Sequence, residues 1–355
     1  MTIPPLGIIE GYFGNPWSND ARIATMQALA PKGFEFFHFA PKGEARLRRE
    51  WTQRFTESRL NELHALKSAC AAASVRFGIG LSPFEAYLDF GDRAKAALTE
   101  RLAEFDELGI DDLVILFDDM KSADLPDLAA RQIEIIRFAA ERTGASNLAV
   151  CPSYYSFDPV LDRVFGRRPE GYLQAFGALD PAIDIYWTGE EVCAREFSVG
   201  HLQDVAEMLR RKPLLWDNYP VNDGHRMSRY LHLRSFTGRP AGIADHIAGH
   251  AINPALQPVL SRVPAVTLAA SYAAGPAYRY RAALADAADE MLGAELGEMV
   301  QADLLAFQDA GLDRIDASIP RLRERYAAID HDGAREIVRW LDGGYAVSAE
   351  MVQTQ

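Results

Sequence analysis

Val114-Ile115-Leu116-Phe117 runs apolar without interruption and stops at Asp118-Asp119. Such a run, bounded by polar residues, reads as a strand buried on both faces, as in a parallel sheet. Carboxylates at the C-terminal end of that strand stand where α/β sheets and barrels bind ligands. Acid–base work is the chemistry open to them. Crowding two like charges raises one pKa, so that an acid survives near neutral pH. A strand exit with a helix-capping Asp is the structural alternative. No His/Cys cluster with metal-ligand spacing, P-loop or HExxH accompanies the pair, and no Ser-His-Asp arrangement is supported by the order. Neither a metal nor a cofactor is expected.

The elements that must hold these residues follow from the rest of the pattern. Short apolar runs recur at 6–9, 34–40, 75–81, 114–117, 148–151, 183–187, 213–216 and 247–252. Helical patterns at about 19–30, 57–73, 92–108 and 125–143 separate several of them, with Ser18 as an N-cap and Gly109 as a C-cap. This alternation predicts an α/β fold, a closed (β/α)8 TIM barrel. An open doubly wound sheet is the rival, but Glu10-Gly11-Tyr12-Phe13-Gly14 lacks the glycine spacing of a dinucleotide turn. Beyond the barrel, 278–307, 315–329 and 333–341 read as helical with no strand candidate. The expected domains are a barrel over 1–274 and a helical C-terminal region over 275–355, packed on the barrel or used as a homodimer contact.

The bulk composition excludes several classes. Of 355 residues, 50 are acidic and 37 basic, for a net charge of -13. That argues against nucleic acid or an anionic membrane as partner. The densest basic cluster, Arg46, Arg48 and Arg49, reads as a solvated face or loop. The three cysteines, Cys70, Cys151 and Cys193, form no disulfide framework, which points to a reducing compartment. No signal peptide and no span of ~20 apolar residues is visible, so the expectation is a soluble cytoplasmic protein.

Barrel closure would bring every strand C-terminus to one mouth. In order these are Gly11, Lys42, Ser82, Asp118 with Asp119, Tyr155, Thr188, Asn218 and Asn253. Aromatic residues stand nearby, among them Tyr12, Trp17, Tyr186, Trp187 and Trp216. Hydrogen-bonding groups mixed with flat apolar faces suit a sugar.

Glu10-Gly11-Tyr12-Phe13-Gly14-Asn15-Pro16-Trp17 resembles the opening motif of glycoside hydrolase family 84, the β-N-acetylglucosaminidases that include protein O-GlcNAcases. The likeness continues through Phe39-Ala40-Pro41-Lys42, Leu116-Phe117-Asp118-Asp119, Cys151-Pro152-Ser153-Tyr154-Tyr155 and Tyr186-Trp187-Thr188-Gly189. It ends with Trp216-Asp217-Asn218, Asn222-Asp223 and Ile252-Asn253-Pro254. These motifs fall at every strand end but the third. The resemblance implies a retaining, substrate-assisted hydrolase of β-linked N-acetylglucosamine, on a glycoside or an O-GlcNAc-modified protein. The 2-acetamido group is then the nucleophile and an oxazoline the intermediate, an exception to the two-carboxylate scheme.

By the same resemblance, Asp118 polarises the acetamido N–H and Asp119 is the acid and then the base. Tyr155 hydrogen-bonds the acetamido oxygen, Asp223 binds the 4- and 6-hydroxyls, and Lys42 with the Gly11 backbone holds the 3-hydroxyl. Asn218 and Asn253 complete the polar lining, and Trp187 with Tyr186 walls the acetamide, while Trp216 is assigned to strand-end packing. Gly43, Tyr154 and Gly224-His225-Arg226 depart from the family pattern, which bears on the aglycone side.

Overall fold

All eight apolar runs form parallel strands, each paired with its neighbour in sequence, and the eighth returns to the first. The computed structural model describes residues 3–120, 125–348 and 350–352; the outer limits of both expected domains lie outside these. The barrel is built from β1 (Leu6–Glu10), α1 (Asn19–Leu29), β2 (Phe34–Phe39), α2 (Glu57–Ala72), β3 (Arg76–Leu81), α3 (Asp92–Leu108) and β4 (Asp112–Leu116). It continues with α4 (Leu128–Ala140), β5 (Asn147–Cys151), α5 (Pro159–Phe165), α6 (Tyr172–Phe176) and β6 (Ile183–Trp187). Then come α7 (Val199–Leu209), β7 (Leu214–Asp217), β8 (Gly249–Ile252) and α8 (Pro258–Ala274).

The expected signals act where they stand. Ser18 Oγ accepts the Ala21 N–H at 3.2 Å and starts α1. Gly109, at φ +73°, ends α3. Strand boundaries shift by one or two residues. β4 begins at Asp112, ahead of the apolar run, because Asp112 is buried against His38. β8 begins at Gly249, two residues inside its run.

Side chains from alternate strands fill the barrel in layers. His38 of β2, Asp112 of β4 and Tyr186 of β6 make one of them. The imidazole lies 3.0 Å from Asp112 Oδ2 and 2.7 Å from the Tyr186 hydroxyl.

Past the barrel, α9 (Tyr280–Leu292) and α10 (Ala294–Ala302) are parted by Gly293 at φ +78°. α11 (Ile319–Ala327) and α12 (Asp332–Leu341) follow. One apolar core runs continuously from the barrel into these helices. The joint is polar as well as apolar. Glu336 of α12 accepts the Val259 and Leu260 N–H groups at the start of α8, at 2.9 and 3.0 Å. The chain then turns back over the mouth. Val347 donates its N–H to Ser228 Oγ, and its carbonyl meets His225 at 3.1 Å. Among the described residues, no helix is long and apolar enough to cross a membrane, and no three His, Cys, Asp or Glu side chains are grouped to hold a metal ion.

Burial pushes the Glu336 carboxyl up to about 7, above its ordinary 4.5. A folded-state pKa above the unfolded value means that the folded chain keeps a proton the unfolded chain has lost. Stability from this group is therefore fully present below pH 4.5 and fades as pH rises through about 7. Urea unfolding should give a lower midpoint at pH 7.5 than at 5.5, and Glu336→Gln should flatten that slope. Glu336→Ala, which strands two buried N–H groups, should cost ~1–3 kcal/mol at either pH.

Candidate active site

The C-terminal mouth holds a cavity of about 310 Å3 lined by Gly11, Asp118, Asp119, Tyr155, Thr188, Asn218, Asp223 and Asn253. They come from the ends of six strands, β1 and β4 to β8, as closure allows. Lys42 does not line this cavity but reaches it from behind. Its Nζ lies 2.5 Å from Asp118 Oδ2 and 3.6 Å from Asp119 Oδ2. The other Asp118 oxygen, Oδ1, is buried and accepts no hydrogen bond among the described residues. A buried acceptor in that state calls for a donor from whatever fills the cavity.

Asp119 is held differently. Its backbone lies at φ +89°, a region that non-glycine residues adopt at a cost of ~1–3 kcal/mol, and such residues cluster at functional sites. Its carboxyl accepts from the Tyr155 hydroxyl at 3.4 Å, and its carbonyl accepts from Arg48 at 2.8 Å. Burial raises the Asp119 pKa above its ordinary value. Lys42 and Arg48 pull it back, and Asp118 pushes it further up. Asp223 accepts the Phe13 N–H at 2.8 Å, and burial lifts its pKa to about 6. Burial together with the charges of Asp119 and Asp118 puts the Tyr155 hydroxyl well above its ordinary value, so it remains a donor.

A chain of amides shapes the opposite wall. Gly11 N–H reaches Asn253 Oδ1 at 3.3 Å, and Asn253 Nδ2 donates to Asn218 Oδ1 at 3.0 Å. The same Asn218 oxygen accepts the Trp216 indole N–H at 2.9 Å, and Asn218 Nδ2 donates to the Val192 carbonyl at 2.8 Å. Each side chain in this chain is held by at least one hydrogen bond, which fixes its orientation.

The aromatic assignments need correction. Trp187 does not line the cavity. Side chains alternate along β6, so Tyr186 points into the barrel and Trp187 toward the helices. There its N–H lies 2.9 Å from His201 Nε2 of α7. Tyr186 is not part of the lining either; it packs edge-on behind Trp216, with centroids 5.2 Å apart. Trp216 itself is the aromatic wall. Ser82 faces away, and its N–H donates to the Leu47 carbonyl at 2.7 Å.

Further residues complete the lining, some from the quoted motifs and others, those of α5, without a sequence signal. Cys151 and Phe13 line the cavity, and Val160, Leu161, Val164 and Phe165 of α5 form an apolar flank with Val192. Val352 arrives from the far end of the chain. Arg48, expected in solvent, is 2% exposed.

A closed parallel barrel with adjacent carboxylates in a small pocket at its C-terminal mouth places the chain in the (β/α)8 class. The chain belongs to the β-N-acetylglucosaminidase family, whose model matches residues 6–309. It is similar to the protein O-GlcNAcases of Mus musculus and Rattus norvegicus, each 26% identical over 275 residues. Those alignments cover 75% of this chain and 30% of the relative, so the chain spans under a third of their length. Its fold matches that of a mutant O-GlcNAc hydrolase of Thermobaculum terrenum with a TM-score of 0.78. There the identity is 24%, over 96% of this chain and 81% of the other.

At Gly11 an added Cβ would fall 2.2 Å from the Trp216 ring. Gly11→Ala should displace that ring, break the Trp216–Asn218–Asn253 chain and raise KM roughly tenfold, a loss of about 1.4 kcal/mol of binding. The crystal structure of the variant checks the displacement, and steady-state kinetics the rise in KM.

Proposed function

We propose that the protein is a retaining exo-β-N-acetylglucosaminidase that uses the substrate's 2-acetamido group as its nucleophile. Asp118 carries this reading. Lys42 occupies one of its oxygens, and the other is buried at the cavity wall without a donor. The acetamido N–H supplies that donor. With the N–H held, and with Tyr155 donating to the acetamido oxygen, that oxygen attacks C1 as the bond to the leaving group breaks. Asp119 gives its proton to the departing oxygen, and the acetamido group closes into an oxazoline. Asp119, now a carboxylate, takes a proton from water as the water attacks C1 and reopens the ring. Two inversions at C1 give retention. The raised pKa of Asp119 favours the protonated form that the acid step needs.

A cavity of about 310 Å3 is at the lower end for ligand sites and suits one sugar ring, hence exo action. For the aglycone we favour a glycosylated protein, the substrate named by the O-GlcNAcase relatives. The apolar α5 flank supports this over a free glycan, whose hydroxyls would find no partners there. Three free cysteines agree with the reducing, cytoplasmic setting we propose. Binding of the sugar without turnover is the rival reading.

Asp118→Asn and Asp119→Asn should each lower kcat/KM on a β-N-acetylglucosaminide with a weakly acidic leaving group by roughly 10²–10⁴. An Asp119→Asn protein that keeps the wild-type rate there sinks the proposal. Calorimetric binding with no hydrolysis by the wild type favours the rival. Comparing a glycopeptide, chitobiose and an aryl glycoside decides the aglycone. If the Asp223 carboxylate binds sugar hydroxyls, its protonation below about pH 6 removes a charged acceptor. KM should then rise severalfold between pH 7 and 5, and Asp223→Asn should abolish that rise.

A further inference from the structure

We propose that Arg48 is the positioning residue for the acid: it holds the Asp119 backbone in its left-handed conformation and supplies the cation that faces the carboxylate after proton transfer. The inference rests on the acid/base role of Asp119 proposed above.

Arg48 lies between β2 and α2, within the arginine-rich run. Its Nη2 donates to the Asp119 carbonyl at 2.8 Å. The guanidinium lies over the Phe13 ring at 5.6 Å and the Phe84 ring at 5.4 Å. Phe13 follows β1, Phe84 follows β3 and Asp119 follows β4. Four consecutive mouth loops therefore meet on one side chain. A planar, delocalised cation can present its faces to aromatic rings while its edge donates in the plane; an ammonium cannot do both.

Asp119 needs such a support. Its backbone is at φ +89°, and among the described residues its carboxyl is gripped at long range, by Tyr155 at 3.4 Å and Lys42 at 3.6 Å. A carboxyl held so loosely takes its direction from the backbone, and Arg48 pins that backbone at its carbonyl. The ionisable groups around Asp119 are Asp118, Lys42, Arg48 and Tyr155, with Asp223 and Cys151 also within range of its charge. Lys42 is already committed to Asp118 at 2.5 Å. Lys42 acts on Asp119 more strongly than Arg48 but also holds Asp118, so among the described residues Arg48 is the cation whose removal leaves the Lys42–Asp118 pair in place, and losing it moves the Asp119 pKa upward.

The test compares Arg48→Met and Arg48→Lys with wild type on two aryl β-N-acetylglucosaminides, reading kcat/KM against pH. One leaving group is a strongly acidic phenol that departs without help; the other is weakly acidic and needs the proton. Arg48→Met should lower kcat/KM about 10- to 100-fold on the second, but within about threefold on the first, as loss of part of the general-acid contribution requires. Its basic limb should move to higher pH. Arg48→Lys should return the limb toward wild type while the loss on the second substrate persists. Equal losses on both substrates with an unmoved limb, or no loss at all, overturn the proposal. Should Arg48→Met not fold, a loss confined to the second substrate in Arg48→Lys supports it, and equal losses overturn it. A wild type that cleaves neither substrate overturns the acid/base reading and this inference together. A wild type that cleaves both, beside an indifferent Arg48→Met, overturns only the inference.

Discussion

Lys42 follows β2 and Asp118 follows β4, yet their side chains meet at 2.5 Å across the strand between them. What permits this is that β3 carries glycines, Gly78 and Gly80, on the side that faces β2 and β4 within the barrel. A Cβ at Gly80 would fall 2.5 Å from the Ala40 Cβ and 2.9 Å from Leu116. At Gly78 it would fall 2.7 Å from His38 and 2.8 Å from Asp112. Those positions are already filled from β2 and β4. The two strands therefore touch twice over a recessed third, at His38–Asp112 in the barrel and at Lys42–Asp118 in the mouth. The third strand end is silent in the chemistry for the same reason. β3 is spent on making room, and Ser82 closes onto the Leu47 loop.

The Lys42–Asp118 pair is weak evidence for stability, because desolvating two charges offsets most of their attraction. Its value is geometric. It fixes one carboxylate oxygen and leaves the other without a donor in a dry wall. Burial, which makes that orphan oxygen costly, also raises the pKa of the neighbouring Asp119. One property of the mouth, the burial of two carboxylates, thus yields both a waiting acceptor and a raised pKa. The polar wall opposite, from Gly11 through Asn253 and Asn218 to Trp216, is made rigid by its own hydrogen bonds and keeps the water out.

The strands and their ends were legible because parallel strands buried on both faces read as uninterrupted apolar runs, and closure turns eight such ends into a single list of neighbours. The carboxylate pair, Tyr155 and the two asparagines reach the mouth by that logic, whereas Asp223, in the loop beyond β7, was placed there by the family resemblance. Orientation was not legible. Trp187 and Trp216 both follow apolar runs, and only strand register decides which ring faces the cavity. Arg48 looks like part of a solvated charge run because nothing local shows that Phe13 and Phe84, far away in sequence, will cover it. Val352 reaches the mouth only because α12 is moored to α8 through Glu336, a contact between residues more than 70 positions apart.

Asp118 and Asp119 present the sharpest case of the same difficulty. Successive side chains on an extended strand point to opposite faces, as Tyr186 and Trp187 do on β6. Applied to the end of β4, that rule would put one carboxylate in the pocket and the other among the helices, and the pair could not share a substrate. Both line the same cavity. The rule fails at this step because Asp119 has left the extended region for φ +89°, which swings its side chain back to the side of its neighbour. The strained residue is thus the condition for having two carboxylates on one side of a sugar, and one side is where an orienter and an acid must stand when the nucleophile belongs to the substrate. An enzyme nucleophile would have to attack from the opposite face, and an ordinary strand end would serve it better than this turn does.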